Sequence, residues 1–451
     1  MRCISTFASL LALSTSVLAV PTKGTGFIAA TSQEHERGGK EYIVLFNASA
    51  PTPPDVTEIL NRIKLSPDDA DVTHMFNNSV FGGFIAKMKS HCIDALNAME
   101  DVAEVEAAVD MKVHVAQRLD YPWGLQRISS SQTVRGDPAA RTFTYTFDDE
   151  KLGQGADIYI LDTGIRDTHV AFGGRARQGF SFEANTTDGD GHGTHVAGTA
   201  AGDFFGVAPG ANLIAVRILD ANGAGRSTDG VRGIEYVIRE HNRRKNEPGF
   251  VGSIMSMSFG FPNRSPSMDR VIQLASQAGI HVSVAAGNEA QDACISSPAA
   301  NGGGNSDVVT VGAVDINDRI ASFSNTGPCV DVYAPGVTIT SSWTLGDKVI
   351  NTISGTSMSC PHVTGLMAYL MAQNPGEFGQ DPGALKRHIK ETARQGVIRG
   401  TAIRGDPGLL ISNGADGSAL NARDVRRDLF ADATGGIDWE VADGDFSAPM
   451  F

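Results

Sequence analysis

Ile158-Tyr159-Ile160-Leu161-Asp162-Thr163-Gly164 is an unbroken apolar run that ends on a carboxylate and a turn. A strand with one wet face alternates apolar and polar residues, so a run without alternation belongs to a strand covered on both faces. Working outward, the same texture recurs in Leu213-Ile214-Ala215-Val216, Ile254 to Met257, Val282-Ser283-Val284-Ala285 and Val308 to Val311. Between these runs, Thr228 to Arg244 and Met268 to Gln277 read as helices. Doubly covered strands alternating with helices predict an α/β fold built on a doubly wound, mostly parallel sheet. Sites in such sheets lie at the carboxyl ends of strands, which is where Asp162 falls. Taken alone, an Asp there is as readily a turn residue satisfying its own loop.

Upstream of about residue 116 the pattern changes. Tyr42-Ile43-Val44-Leu45-Phe46 reads as a strand, and Val56, Ile59, Leu60 and Ile63 mark one face of a helix. Val72 to Phe76 and Phe84 to Met88 predict two more strands, Ile93, Leu96 and Met99 a second helix, and Val109 to Val115 a last strand. The order βαββαβ is that of a small ferredoxin-like α+β module of about 80 residues. Ahead of it, residues 1–19 carry Arg2, the apolar run Leu10-Leu11-Ala12-Leu13 and the small-residue end Val17-Leu18-Ala19, the layout of a secretory signal. The apolar run is short of the roughly 20 residues a membrane span needs, and no later stretch reaches that length. The expected organisation is therefore a signal over 1–19, a leading module over 20–115, the α/β domain over 116–417, and an acidic, mobile tail over 418–451. No internal repeat is apparent.

The 451 residues carry a net charge of −14, with 41% apolar residues and 51 glycines. That balance excludes a nucleic-acid surface, because phosphate recognition needs clustered Lys and Arg, and the one basic cluster, Arg243-Arg244-Lys245, is short. Export, as a secreted extracellular protein, would make the sequons at Asn47, Asn77, Asn185 and Asn263 available for glycosylation. Of the 5 cysteines, Cys3 leaves with the signal and Cys92 lies in the leading module. Cys294, Cys329 and Cys360 remain, an odd number for an exported chain.

Hydrolysis of a peptide near neutral pH requires a nucleophile, a base for its proton, a group that holds the base in one tautomer, and donors for the oxyanion. Asp162 is the candidate orienter. His192, in Asp190-Gly191-His192-Gly193-Thr194-His195, precedes a small-residue run that suits a tightly packed helix, and its flanking glycines permit close backbone approach. His192 and His195 have the spacing of two metal ligands, but the Glu of the metalloprotease signature is absent. Ser357, in Gly355-Thr356-Ser357-Met358-Ser359-Cys360-Pro361-His362, stands where apolar helical spacing begins. A Ser there is ordinarily a helix cap, yet the position also suits a nucleophile whose own N–H helps bind an oxyanion. Asn288, after the strand ending at Ala285, is a candidate second donor.

Together these motifs resemble the subtilisin-like serine proteases, the subtilases, and the catalytic half is similar to their proteinase K-like branch. The order Asp, His, Ser is the subtilisin order, unlike that of chymotrypsin-like enzymes or α/β-hydrolases. The resemblance runs from about Trp123 to about Arg394. It implies a catalytic triad of Asp162, His192 and Ser357, with an oxyanion hole from Asn288 and the Ser357 N–H. The first module resembles the family's inhibitor prodomain through Tyr42 to Phe46, Phe81-Gly82-Gly83-Phe84 and the Val-rich end at Val115. The chain is then a self-processed zymogen inhibited by its own prodomain, monomeric, acting on proteins and peptides, with no nucleic-acid or membrane partner.

The same resemblance implies substrate-binding segments at Gly223-Ala224-Gly225 and Ser258-Phe259-Gly260, which would pair with an extended peptide through main chain. It places the walls of the specificity pocket at Ser258 to Gly260 and at Ala285, Ala286 and Gly287. These carry no charge, so broad cleavage after apolar or aromatic residues is expected. No cofactor is expected for catalysis. A structural calcium is implied at Asp331, beside the carbonyls of Ser306 and Val308, although a loop Asp satisfied by its surroundings reads equally well. Because Cys294 and Cys329 both stand in loop-like sequence, the expected disulfide joins them and leaves Cys360 a buried thiol. Two other readings stay open: a catalytically inactive peptide-binding homologue, and a lipase-like hydrolase, whose nucleophile elbow would need a second glycine that Gly-Thr-Ser-Met-Ser lacks.

Overall fold

In the computed structural model, which describes residues 39–47, 55–77, 82–108, 116–417 and 437–442, the chain divides between positions 112 and 113 into two units. The proposed signal, residues 1–19, lies outside the described residues. The first unit runs β1 (Lys40–Phe46), α1 (Val56–Arg62), β2 (Val72–Asn77), β3 (Gly82–Met88), α2 (Ser90–Asn97) and β4 (Val102–Ala107). Its antiparallel sheet has the order β2-β3-β1-β4. Helix α1 starts where Asp55 accepts a hydrogen bond from Thr57 N at 2.8 Å, a side-chain cap. Val44, Ile59, Leu60, Phe84 and Leu96 form the core. Val102–Ala107 is the fourth strand of this sheet, and the strand expected at Val109 to Val115 lies outside the described residues. Val102 and Val105 turn inward while Glu104 and Glu106 stay exposed, a one-faced pattern that the Val-rich run further on obscures in the sequence.

The second unit opens with β5 (Ala116–Tyr121), α3 (Trp123–Ile128) and β6 (Phe143–Phe147). There follow β7 (Ala156–Asp162), β8 (Ala176–Ser181), α4 (His192–Ala201), β9 (Asn212–Arg217), α5 (Ser227–Arg244), β10 (Gly252–Met257), α6 (Pro266–Gln277), β11 (His281–Ala285), β12 (Val309–Val314) and β13 (Val332–Pro335). The chain continues through β14 (Ile339–Ser342), β15 (Val349–Ile353), α7 (Thr356–Gln373), α8 (Pro375–Phe378) and α9 (Pro382–Thr392). The central sheet is 7-stranded, in the order β13-β12-β11-β10-β7-β9-β8, with every pairing parallel. Strand order reverses between β7 and β10, so Asp162, the last residue of β7, stands beside the switch point where crevices open in such sheets.

The apolar runs are double-faced for the reason their sequence suggests. Ile158 and Ile160 pack with residues of α4 and α7, whereas Tyr159 and Leu161 pack with those of α5 and α6. All four are 0% exposed. Helix α7 lies inside the protein: every residue of it except Ser357 and Gln373 is buried. Such a helix has no wet face, so its buried polar side chains are satisfied internally: Ser359 Oγ donates to Ala334 O at 3.0 Å, Thr364 Oγ1 to Cys360 O at 3.2 Å, and His362 Nδ1 lies 2.8 Å from Met358 O. Cys294 and Cys329 form the expected disulfide, with a Cα–Cα distance of 5.3 Å, and Cys360 is a buried free thiol.

The mobile-tail expectation needs correction over 437–442. There β16 (Glu440–Val441) adds to β15 in parallel, and Trp439 stacks on His169 and meets the rings of Phe204 and Phe205 at 5.2 Å. An isolated aromatic among acidic residues gives no periodicity, so the docking is invisible until its apolar partners are assembled.

Candidate active site

Segments at the carboxyl ends of β7, β9, β10 and β11 contribute to one cleft of about 360 Å³. His192, Ser258, Asn288 and Ser357 line it together, along with Gly223, Ala224, Gly225, Phe259, Gly260 and Gly287. Asp162 sits behind it, 0% exposed. Its Oδ1 lies 2.8 Å from His192 Nδ1 and also accepts from Thr163 N at 2.8 Å. A carboxylate at Nδ1 fixes the hydrogen there and leaves Nε2 as the base.

Two glycines make this approach possible. At Gly193 an added Cβ would collide with Gly164 O and crowd Asp162, so the first turn of α4 can come down on the end of β7 only without a side chain. Gly191, with φ at 116°, lies against the Trp343 ring, and a Cβ there would enter it.

Ser357 is the second residue of α7, at a helix end whose N–H groups have no intrahelical acceptor. Its Oγ donates to Ser258 O at 3.0 Å, and a hydroxyl rotor can redirect that proton. Asn288 is held by its carbonyl: Oδ1 accepts from Thr356 N at 2.8 Å and Thr356 Oγ1 at 2.9 Å. With Oδ1 occupied at the helix start, the amide end of Asn288 stands near Gly355, beside Ser357.

Electrostatics at His192 are a contest. Burial penalises the imidazolium, but the charge of Asp162 and its hydrogen bond, with further help from Asp190 and Asp188, outweigh that and hold its pKa above the ordinary histidine value. The metal reading of His192 with His195 fails on the second histidine. His195 is 0% exposed with its Nε2 3.0 Å from Ile339 O, His192 Nδ1 is engaged by Asp162, and the described residues hold no group of three or more possible metal ligands.

The sequence profile of the subtilase family matches residues 153–420. The chain is a subtilase. It is by that family a serine endopeptidase. Cerevisin of Saccharomyces cerevisiae is 38% identical over 360 residues, covering 76% of this chain and 55% of its own length. A cuticle-degrading serine protease of Arthrobotrys oligospora is 39% identical over 347 residues, 75% of this chain and 79% of that one. Alkaline protease 2 of Aspergillus fumigatus is 37% identical over 362 residues, 76% of this chain and 70% of that one. The crystal structure of a cold-adapted subtilisin-like serine proteinase superposes with a TM-score of 0.56 at 35% identity, covering 66% of this chain and 100% of that one.

One wall residue of the subtilase cleft is misplaced by sequence. Of the three residues expected there, Ala285 and Gly287 line the cleft, whereas Ala286 is 0% exposed and packs with Ala293 and Tyr333. Consecutive residues of extended chain point to opposite sides, so only one of Ala285 and Ala286 can be a wall. Other lining residues escaped notice altogether: Ile218, Leu219, Arg226, Phe261 and Trp343. So did Asp188. Its Oδ1 accepts from Thr163 Oγ1, Asp190 N and Gly191 N, and its Oδ2 from Thr194 N and Thr194 Oγ1. Thr163 Oγ1 in turn accepts from Gly193 N at 3.0 Å, so this network ties the end of β7 to the start of α4. A carboxylate in the Gly-rich run Asp188-Gly189-Asp190-Gly191 was the available signal.

The calcium expectation is corrected. Asp331 is 0% exposed as a ligand would be, but Lys386 Nζ lies 3.1 Å from its Oδ1 and 2.8 Å from both Ser306 O and Val308 O. Those are the three oxygens expected to hold the ion. A divalent and a monovalent cation about 3 Å apart repel by on the order of 10 kcal/mol at an effective dielectric of about 20. The residues present do not fit calcium.

Proposed function

We propose that this subtilase is a secreted serine endopeptidase in which Asp162, His192 and Ser357 act as the catalytic triad. The observation that carries the reading is the 2.8 Å contact of Asp162 Oδ1 with His192 Nδ1 in a cleft that Ser357 also lines. In the reaction Ser357 Oγ attacks the scissile carbonyl as its proton passes to His192 Nε2. The new oxyanion takes hydrogen bonds from Ser357 N–H and the Asn288 amide. His192 then gives the proton to the leaving amine, and water releases the acyl group by the reverse sequence.

Main chain of 223–225 and 258–260 binds the substrate as an added strand, which gives affinity with little regard to sequence. Selectivity comes from the wall made by Ser258, Phe259, Gly260, Ala285 and Gly287, which is uncharged and accepts apolar or aromatic side chains. The leading unit serves as an inhibitory prodomain that the enzyme removes between about residues 112 and 119 after export. Asn185 and Asn263 are exposed, as glycan acceptors must be.

The test is a fluorophosphonate label on the secreted protein together with casein digestion. Labelling at Ser357, proteolysis by the parent, and an uncleaved precursor in Ser357→Ala are expected. An unlabelled Ser357 in a folded, peptide-binding chain would mean an inactive homologue instead.

A further inference from the structure

Three main-chain carbonyls and a carboxylate converge on one ammonium group. Lys386 Nζ, reaching from α9, donates to Gly303 O, Ser306 O and Val308 O, each at 2.8 Å. An ammonium has three protons, and here all three go to one short loop. Asp331 Oδ1 completes the shell at 3.1 Å, while its Oδ2 accepts from Gly303 N and Thr310 N at 3.1 and 3.0 Å. Lys386 is 8% exposed and Asp331 0%. Carbonyls and a carboxylate closing on one point from a loop are the donor set of a hard cation, not the surroundings of a surface lysine.

We propose that Lys386 is a tethered cation occupying a latent calcium cage made by 303–308 and Asp331. Charge supports the assignment. Lys390 Nζ is also 3.1 Å from Asp331 Oδ1, so one carboxylate already faces two ammonium groups. Calcium added to that set would raise its net charge from +1 to +3 with no new anion. Removing the Lys386 side chain leaves the oxygens in place and the set neutral, which a divalent ion can enter. The tether also costs no free ligand: the loop is fixed whatever the calcium level outside, and α9 is fastened to it. The cage thus makes this part of the fold independent of a metal it is otherwise built to hold.

The experiment uses the full chain with Ser357→Ala to prevent self-digestion, and thermal unfolding in EDTA or in excess calcium. Any calcium response of this parent belongs to other places, so the readout is the increment. Lys386→Ala is expected to unfold on the order of 5 °C lower in EDTA, to regain most of that in calcium, and to lose the gain when Asp331→Asn is added. A Lys386→Ala protein that responds to calcium no more than its parent overturns the proposal. A second measurement needs no cage variant: acetylation of the Lys386 amine in the folded parent, read by mass spectrometry. Equal protection in EDTA and in calcium is expected, whereas calcium-induced reactivity would mean that the ion displaces the lysine, which also overturns it.

Discussion

Ser258 and Ser357 are joined twice: Ser357 Oγ donates to Ser258 O at 3.0 Å, and Ser258 Oγ donates to Ser357 O at 2.9 Å. The second bond exists because of Pro361. In a regular helix the N–H four residues on would serve the Ser357 carbonyl, and proline has none. The freed carbonyl takes its hydrogen bond from the segment that follows β10, so one interruption in α7 links the nucleophile to the substrate-binding edge.

Ser258→Ala should therefore cost about 1 kcal/mol of stability, because it leaves a partly buried acceptor without its donor. In a Pro361→Ala background, where a helical N–H is restored, the same change should cost clearly less. Denaturant unfolding of the four proteins closes the cycle, and equal costs in both backgrounds would refute the link.

Ser357→Ala should abolish proteolysis while leaving the unfolding midpoint of the chain nearly unchanged. A loss of about 10⁶-fold in kcat is the magnitude seen in subtilisin itself, not one obtained from this chain. Asn288→Ala should lose about 10² to 10³-fold, again the subtilisin magnitude. Because Asn288 also accepts from Thr356 N and Oγ1, that variant should in addition be less stable. Substantial casein digestion by purified Ser357→Ala would sink the triad.

Activity should rise with pH as His192 loses its proton, with the midpoint above the ordinary histidine value because Asp162, Asp190 and Asp188 outweigh burial. Asp190→Asn removes one of those charges while its side-chain oxygen can still accept from His192 N, as Asp190 Oδ1 does at 2.9 Å. The rising limb of kcat/KM should shift to lower pH in this variant. Linkage has the opposite sense for the fold. A raised folded pKa contributes stability below the unfolded value and loses it as pH climbs through the folded one. An unmoved limb in the pH profile would show that Asp190 does not act on His192.

Unreduced peptide maps should show the Cys294–Cys329 link. The pair closes a loop over a separation of 35 residues, for which chain entropy gives on the order of 3–4 kcal/mol as an upper figure. Cys360 should resist alkylation in the folded enzyme and react in urea. It is 0% exposed, and burial pushes its thiol pKa up, against smaller opposing help from Ser283, Ser258 and Ser256. A Cys294–Cys360 link, or ready native alkylation of Cys360, would be the contrary result.

Sequence by itself determined the sheet, because apolar runs such as Ile158 to Leu161 report burial on both faces locally, within a few residues. It also determined the order Asp162, His192, Ser357 and the likeness that order carries. The choice of Cys294 with Cys329 was legible too, since both stand in loops. Tertiary structure alone decided which side chains meet across long separations. Lys386 is far along the chain from the loop it fills, and its helical spacing looks like that of any surface lysine. Asp188 reads as one more loop carboxylate until Thr163 and Thr194 fold onto it. Ala286 and Ala285 are the same residue type, and only the direction of the chain after β11 turns one into the core and the other into the cleft. Periodicity records how each segment is buried, but polar satisfaction is a property of the assembled neighbours, and no local pattern contains it.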